Sequence, residues 1–209
     1  MSGQEVQLPA DYSEARVRFL ESASAAGARL YAQDHPLAGP GGEVLATDVA
    51  VLGRPDAPAR LMVISGTHGV EGFAGSLCQR VMLERGVSLP DDLALVVVHA
   101  INPYGFAWVR RVNEDNVDLN RNCIDFAAGL PENPGYDELA AAIVPERWDA
   151  PTQQETAERL LAFGTEHGFD ALQAAISMGQ YTHPTGVFYG GTEAVWSQRT
   201  LGAITRDHL

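Results

Sequence analysis

Cysteine is scarce in this chain: only Cys78 and Cys123 occur among 209 residues, and they are not spaced as a CxxC pair. Two such residues make no disulfide framework and point to a reducing compartment. The N-terminal stretch, residues 1–9, is polar and lacks the apolar region of a signal peptide. No apolar run approaches the length of a membrane-spanning helix. These absences predict a cytoplasmic, bacterial-like protein. Basic residues are also few, 14 against 27 acidic ones, for a net charge of −13. That balance argues against a general nucleic-acid binder or an anionic-membrane binder, while leaving room for a local basic pocket. There is no internal repeat, no low-complexity tract and no composition shift that would mark a linker, so residues 1–209 read as a single domain. What is present is ordinary for a protein with a real core: 45% hydrophobic and 20% charged residues.

Periodicity sketches an α/β fold. Asp11 followed by Glu14 reads as a helix start, with Phe19, Leu20, Ala23, Ala26 and Leu30 continuing at helical spacing. Residues 35–42 form a Pro/Gly-rich turn region. Val44–Leu52 reads as a strand, and Leu61–Ser65 as a short buried one. Gly72–Glu84 reads as a helix with Phe73, Leu77, Cys78, Val81 and Met82 inward, and Leu93–Ala100 as a second buried strand. Strand, helix, strand is a βαβ unit, which predicts a mixed, mainly parallel sheet with helices on both faces. Residues 101–134 show no clear period, and a long loop inside a compact domain is often functional. Thr152 with Glu155 opens a helix to about Phe163; a short helix over 170–178, an aromatic loop over 180–191 and a helix over 197–208 complete the chain.

The chemistry concentrates in two clusters. The first is Ser65-Gly-Thr-His68-Gly-Val-Glu71-Gly, a glycine-rich turn directly after a buried strand. Imidazole and carboxylate are both zinc ligands, positions i and i+3 of a turn can share one ion, and ligands in open α/β sheets bind beyond the carboxyl ends of strands. A catalytic zinc takes three protein ligands, so a third must come from elsewhere; the alternative is a surface turn with an incidental His and Glu. The second cluster runs from Asn102-Pro-Tyr-Gly-Phe through Arg110-Arg111 to Asn120-Arg121-Asn122. Arginine forks and asparagine amides suit an anionic substrate end, although Arg110, Arg111 and Arg121 could equally pair with Glu114, Asp115 and Asp118. His167 with Asp170 repeats the His/Glu spacing between two expected helices and carries little weight. His99 ends an apolar strand and reads as a core histidine, and His35 and His208 read as surface residues. No GxSxG elbow occurs, and Ser76 lies one position off such a frame; Cys123, in the loop, is the better thiol of the two cysteines.

Taken in order, His68-x-x-Glu71, Asn102-Pro-x-Gly-Phe, Arg111-x-Asn-x-x-Asn-Val-Asp-Leu-Asn120-Arg121-Asn and Gln180-Tyr-Thr-His183-Pro-Thr-Gly-Val-Phe-Tyr189-Gly-Gly resemble the zinc carboxypeptidase superfamily. That superfamily includes the succinylglutamate desuccinylase and aspartoacylase enzymes, and the last motif is similar to a bacterial branch of mostly unassigned function. The resemblance covers about Val63 to the C-terminus. It implies one zinc ion held by His68 and Glu71, an oxyanion-stabilising Arg111, and Asn120 and Arg121 on a substrate carboxylate. It implies a substrate that is a small peptide or an N-acyl amino acid, and hydrolysis of the amide beside its carboxylate. His183 and Tyr189 are expected in the substrate pocket, with His183 also a candidate third ligand. The family's remaining zinc histidine and its glutamate base belong to later strands with no counterpart before Leu209. The chain is therefore expected to be the N-terminal portion of a longer enzyme, impaired at this length, with a non-catalytic carboxylate-binding module as the alternative.

Overall fold

The computed structural model describes residues 7–209, so the first six residues of the polar N-terminal stretch lie outside the described residues. The described residues divide into two compact units, those up to 114 with 196–209, and residues 115–195.

The first unit begins with α1 (Tyr12–Ala25), which Asp11 caps by accepting from the Glu14 amide at 2.8 Å. Then come β1 (Arg29–Ala38), β2 (Val44–Leu52) and β3 (Ala59–Ile64). A 3₁₀ turn over Gly69–Glu71 leads into α2 (Gly72–Glu84), followed by β4 (Leu93–His99) and the short α3 (Pro103–Ala107). The strands form one sheet in the order β1-β2-β4-β3. β3 and β4 pair in parallel across α2, as the βαβ reading requires, but β1/β2 and β2/β4 are antiparallel. The sheet is thus mixed and not mainly parallel. The discrepancy lies in the antiparallel β2/β4 pairing and in β1, an edge strand whose side chains are nearly all exposed. Without a buried alternating face it carries no strand signal, and its residues read as a helix end and a turn.

β2 and β4 are buried on both faces. On one, Ala50, Leu52, Leu95 and Val97 pack with Phe19 and Ala23 of α1 and Leu83 of α2. The register puts Tyr31, Val49, Val98 and Arg60 on the opposite face. There α8 (Trp196–His208) closes the layer: the Arg60 guanidinium donates to the His208 carbonyl at 3.0 Å, and Tyr31 packs on the His208 ring. α8 thus meets the face opposite α1 and α2 through His208.

The second unit holds α4 (Leu119–Asn122), α5 (Pro134–Ile143), α6 (Ala150–His167) and α7 (Phe169–Ser177). Leu139, Phe163 and Ala175 form its apolar centre. The N-cap of α6 is Asp149, which accepts from the Thr152 amide and hydroxyl, so the helix starts two residues before Thr152 and continues past Phe163 to His167.

Candidate functional site

The His68 turn sits at the carboxyl ends of the parallel pair β3/β4, and glycine makes the bend possible. Gly66 has φ +68°, and a Cβ there would stand 3.1 Å from the Ala100 Cα. At Gly69 a Cβ would land on the Gly105 carbonyl and the Phe106 amide, so the turn can meet α3 this closely only without a side chain. The Asn102-Pro-x-Gly-Phe motif is the other half of this contact. Asn102 caps α3 by accepting from the Gly105 amide at 2.9 Å, and Phe106 packs against Tyr12 and Phe73. Beneath the turn a buried polar network ties α2 to the strand ends. Ser65 Oγ donates to Gln79 Oε1 at 2.9 Å, Gln79 Nε2 donates to the Val98 carbonyl at 3.0 Å, and the Ala100 amide donates to Ser65 Oγ at 3.2 Å. Ser76, Gln79 and Leu83 form the deepest side of α2, while Cys78 is exposed, which corrects its expected inward place. The helix turns its hydrogen-bonding residues toward the strand ends, a choice that hydrophobic spacing does not reveal.

On this platform His68 Nδ1 and Glu71 Oε1 approach to 3.1 Å. His68 is buried, whereas the Glu71 side chain is 65% exposed. The Gly69 and Val70 amides donate to the Arg111 and Arg110 carbonyls at 3.4 and 3.2 Å, so the arginine pair runs directly beside the turn. Donor types and separation suit two positions of a zinc site. Among the described residues no third His, Cys, Asp or Glu completes the set. The two donors fall short of the three protein ligands that a catalytic zinc site requires.

The remaining histidines of the first unit are structural. His99 is fully buried, stacked on Phe19 with ring centroids 4.4 Å apart, and its Nε2 lies 2.9 Å from Ser76 Oγ. Burial pulls its pKa down to about 3, with the Arg16 charge adding to the effect, so the ring is neutral. His35 is buried as well, contrary to its expected surface place. Its Nδ1 accepts from the Leu37 amide at 3.1 Å, its Nε2 faces Glu114 at 3.4 Å, and Trp196 covers the ring. A single inward residue on an exposed edge strand leaves no pattern to read.

In the second unit, Asp118 caps α4 by accepting from the Asn120 amide, and Asn120 itself is exposed. Arg121 donates to the Ser177 carbonyl at 2.8 Å and lies over the Phe188 ring, while its own carbonyl accepts from Tyr181 Oη at 2.6 Å. Asn122 is a buried staple, donating to the Gly190 and Glu193 carbonyls and accepting from the Val195 amide. His183 Nε2 meets Asp137 Oδ1 at 3.0 Å. Its loop is organised by buried Gln180, whose Oε1 accepts from the Thr182 and His183 amides and whose Nε2 donates to the His183 carbonyl. Tyr189 is buried and its carbonyl accepts from the Asp118 amide. Asn120, Arg121 and Tyr181 border one open cavity of about 730 Å³.

Residues 9–209 match the model of the family described as "Protein of unknown function (DUF2817)". The chain belongs to this family. The match replaces the zinc carboxypeptidase superfamily as the family assignment. The motifs that suggested the latter contain many scaffold residues, among them Asn102, Gly105 and Asn122, whose spacing records packing and capping. No curated protein matches the chain. Similar solved structures include the glutaminyl cyclase of Fimbriiglobus ruber, at 14% identity over 42% of this chain and 36% of that one, TM-score 0.33. Those of Porphyromonas gingivalis (12%, 67% and 48%, TM-score 0.35) and Tannerella forsythia (15%, 61% and 51%, TM-score 0.32) are also similar. The aligned part spans about a third to a half of these proteins, and likeness at this level assigns no activity.

Proposed function

We propose that this chain is a zinc-dependent hydrolase acting on an amide bond beside a carboxylate, in a small peptide or an N-acyl amino acid. The observation that carries the reading is the His68–Glu71 pair, converging to 3.1 Å at the end of a parallel strand pair with Arg110 and Arg111 alongside. Zinc, when bound, supplies an acidified water and a polarised carbonyl. Arg111, exposed next to the turn, stabilises developing negative charge on the substrate. Asn120 and Arg121 hold the substrate carboxylate, and a fixed guanidinium converts binding into orientation. His183 presents its ring from a loop held by Gln180 and Asp137, and buried Tyr189 pairs with Gln180 through a backbone bridge.

The two-ligand set favours a second reading, a domain that binds anionic ends without hydrolysing them. Metal analysis of the purified protein separates the two. The hydrolase is expected to hold about one zinc per chain and to lose metal and activity in His68→Ala and Glu71→Ala. Hydrolysis that survives both substitutions refutes the metal reading. Carboxylate binding without zinc or turnover establishes the second reading.

A cytoplasmic setting is part of the proposal, supported by the free and exposed Cys78 and Cys123. Among the described residues no helix is long and apolar enough to cross a membrane. The net charge of −13 supports a small-molecule partner over nucleic acid or an anionic membrane.

A further inference from the structure

We propose that the cavity of the second unit is a chamber for the apolar body of a carboxylate ligand, so that the substrates or effectors of this chain are monocarboxylates bearing an aliphatic or aromatic group. The inference rests on the carboxylate role of Arg121 proposed above and adds the class of molecule attached to that carboxylate.

The volume, about 730 Å³, lies in the range of small-molecule sites. Its lining is mostly apolar, with Ile124, Phe163 of α6, and Ala171, Ala174, Ala175 and Met178 on and just beyond α7, and Glu132, Asn133 and His167 add polar groups to the wall. Three alanines on one helix side leave space where larger side chains would fill it. Met178 is the most exposed large hydrophobic residue among those described, at 72%, and a flexible thioether at a cavity rim adapts to varied apolar shapes.

The polar end is Arg121. Gly179 leaves room for it, because a Cβ there would stand 2.5 Å from the Arg121 Cδ. One guanidinium nitrogen is spent on the Ser177 carbonyl, and the buried Nε has no hydrogen-bond partner. The other arginines of this unit have carboxylate partners, Arg147 with Asp149 and Arg159 with Glu138. Among the described residues no carboxylate pairs with Arg121. A half-buried cation without a counter-charge, at the edge of an apolar chamber, is completed by an anion that brings its own hydrophobic body.

Titration calorimetry with octanoate, octanol and acetate tests this on the whole chain. Octanoate is expected to bind at one saturable site. Octanol, lacking the charge, binds about tenfold more weakly. Acetate, lacking the chain, binds more than roughly a hundredfold more weakly. Ala174→Trp fills the chamber and Arg121→Gln removes the anchor; each should weaken octanoate about tenfold or more with thermal melting unchanged. Ala171→Trp repeats the blockade should Ala174→Trp fail to fold. His68→Ala should leave octanoate binding intact, so loss of the zinc reading and loss of the chamber are scored separately. Equal affinity for octanoate and octanol, wild-type affinity in a folded chamber-filled variant, or the absence of saturable binding overturns the proposal.

Discussion

Mild acid should destabilise this protein through His99. The ring is fully buried against Phe19, one nitrogen is on Ser76, and the other has no protein partner. Burial first, and the Arg16 charge second, lower its pKa to about 3. In the unfolded chain the same ring titrates near 6.5. The unfolded state therefore takes up a proton that the folded state refuses. Above about pH 6.5 both forms are neutral and the group contributes no pH dependence; below it, stability falls until the folded pKa is reached. One proton is worth about 1.4 kcal/mol per pH unit once the pH is well below about 6.5, so acidification from about pH 6.5 to 4.5 costs about 2 kcal/mol. That is a large share of the roughly 5–15 kcal/mol that holds a domain folded. Urea unfolding of wild type and His99→Gln at several pH values reads the effect. The substitution carries its own constant penalty, but the gap between the two curves should narrow as pH falls. Parallel curves between about pH 6.5 and 4.5 would refute the assignment of His99 as a neutral buried ring.

Other outcomes follow from single contacts. Gly69→Ala drives a methyl group into the α3 backbone and should cost about 3 kcal/mol and weaken metal binding at His68, whereas Gly86→Ala, with open space around it, should cost only about 1 kcal/mol; denaturation and metal titration compare them. Arg16→Leu strands buried Asp48, which it now holds through two hydrogen bonds of 2.8 and 3.0 Å, and should cost about 3–5 kcal/mol by denaturant titration. Gln180→Ala removes the acceptor for two loop amides and should cost about 2–3 kcal/mol, with faster hydrogen exchange at Thr182 and His183 as the local readout.

The buried half of the fold was legible. Val44–Leu52, Gly72–Glu84 and Leu93–His99 announce themselves because their apolar residues have only one way to leave water. β1 was not legible, since an edge strand facing solvent needs no hydrophobic alternation. α5 was missed for another reason: its start is a cap, Asn133 accepting from the Tyr136 amide, inside a stretch dominated by Pro and Gly. At the site, the glycine-flanked His68–Glu71 turn could be read from donor chemistry and spacing. The tasks of Asn102, Asn122 and Gln180 could not. Each is a buried amide serving backbone groups distant in sequence, and composition looks the same whether an amide binds substrate or staples a loop.

The insertion of residues 115–195 into the first unit sets an order of assembly during synthesis. The α1/α2 side of the sheet can condense as soon as β4 has left the ribosome. The opposite side, with Val49 and Val98, must wait until the inserted unit has been translated and α8 arrives to set Trp196 on His35 and His208 beside Tyr31 and Arg60. For that interval the nascent protein carries a half-dressed sheet, and this is the stage at which a chaperone has most to cover.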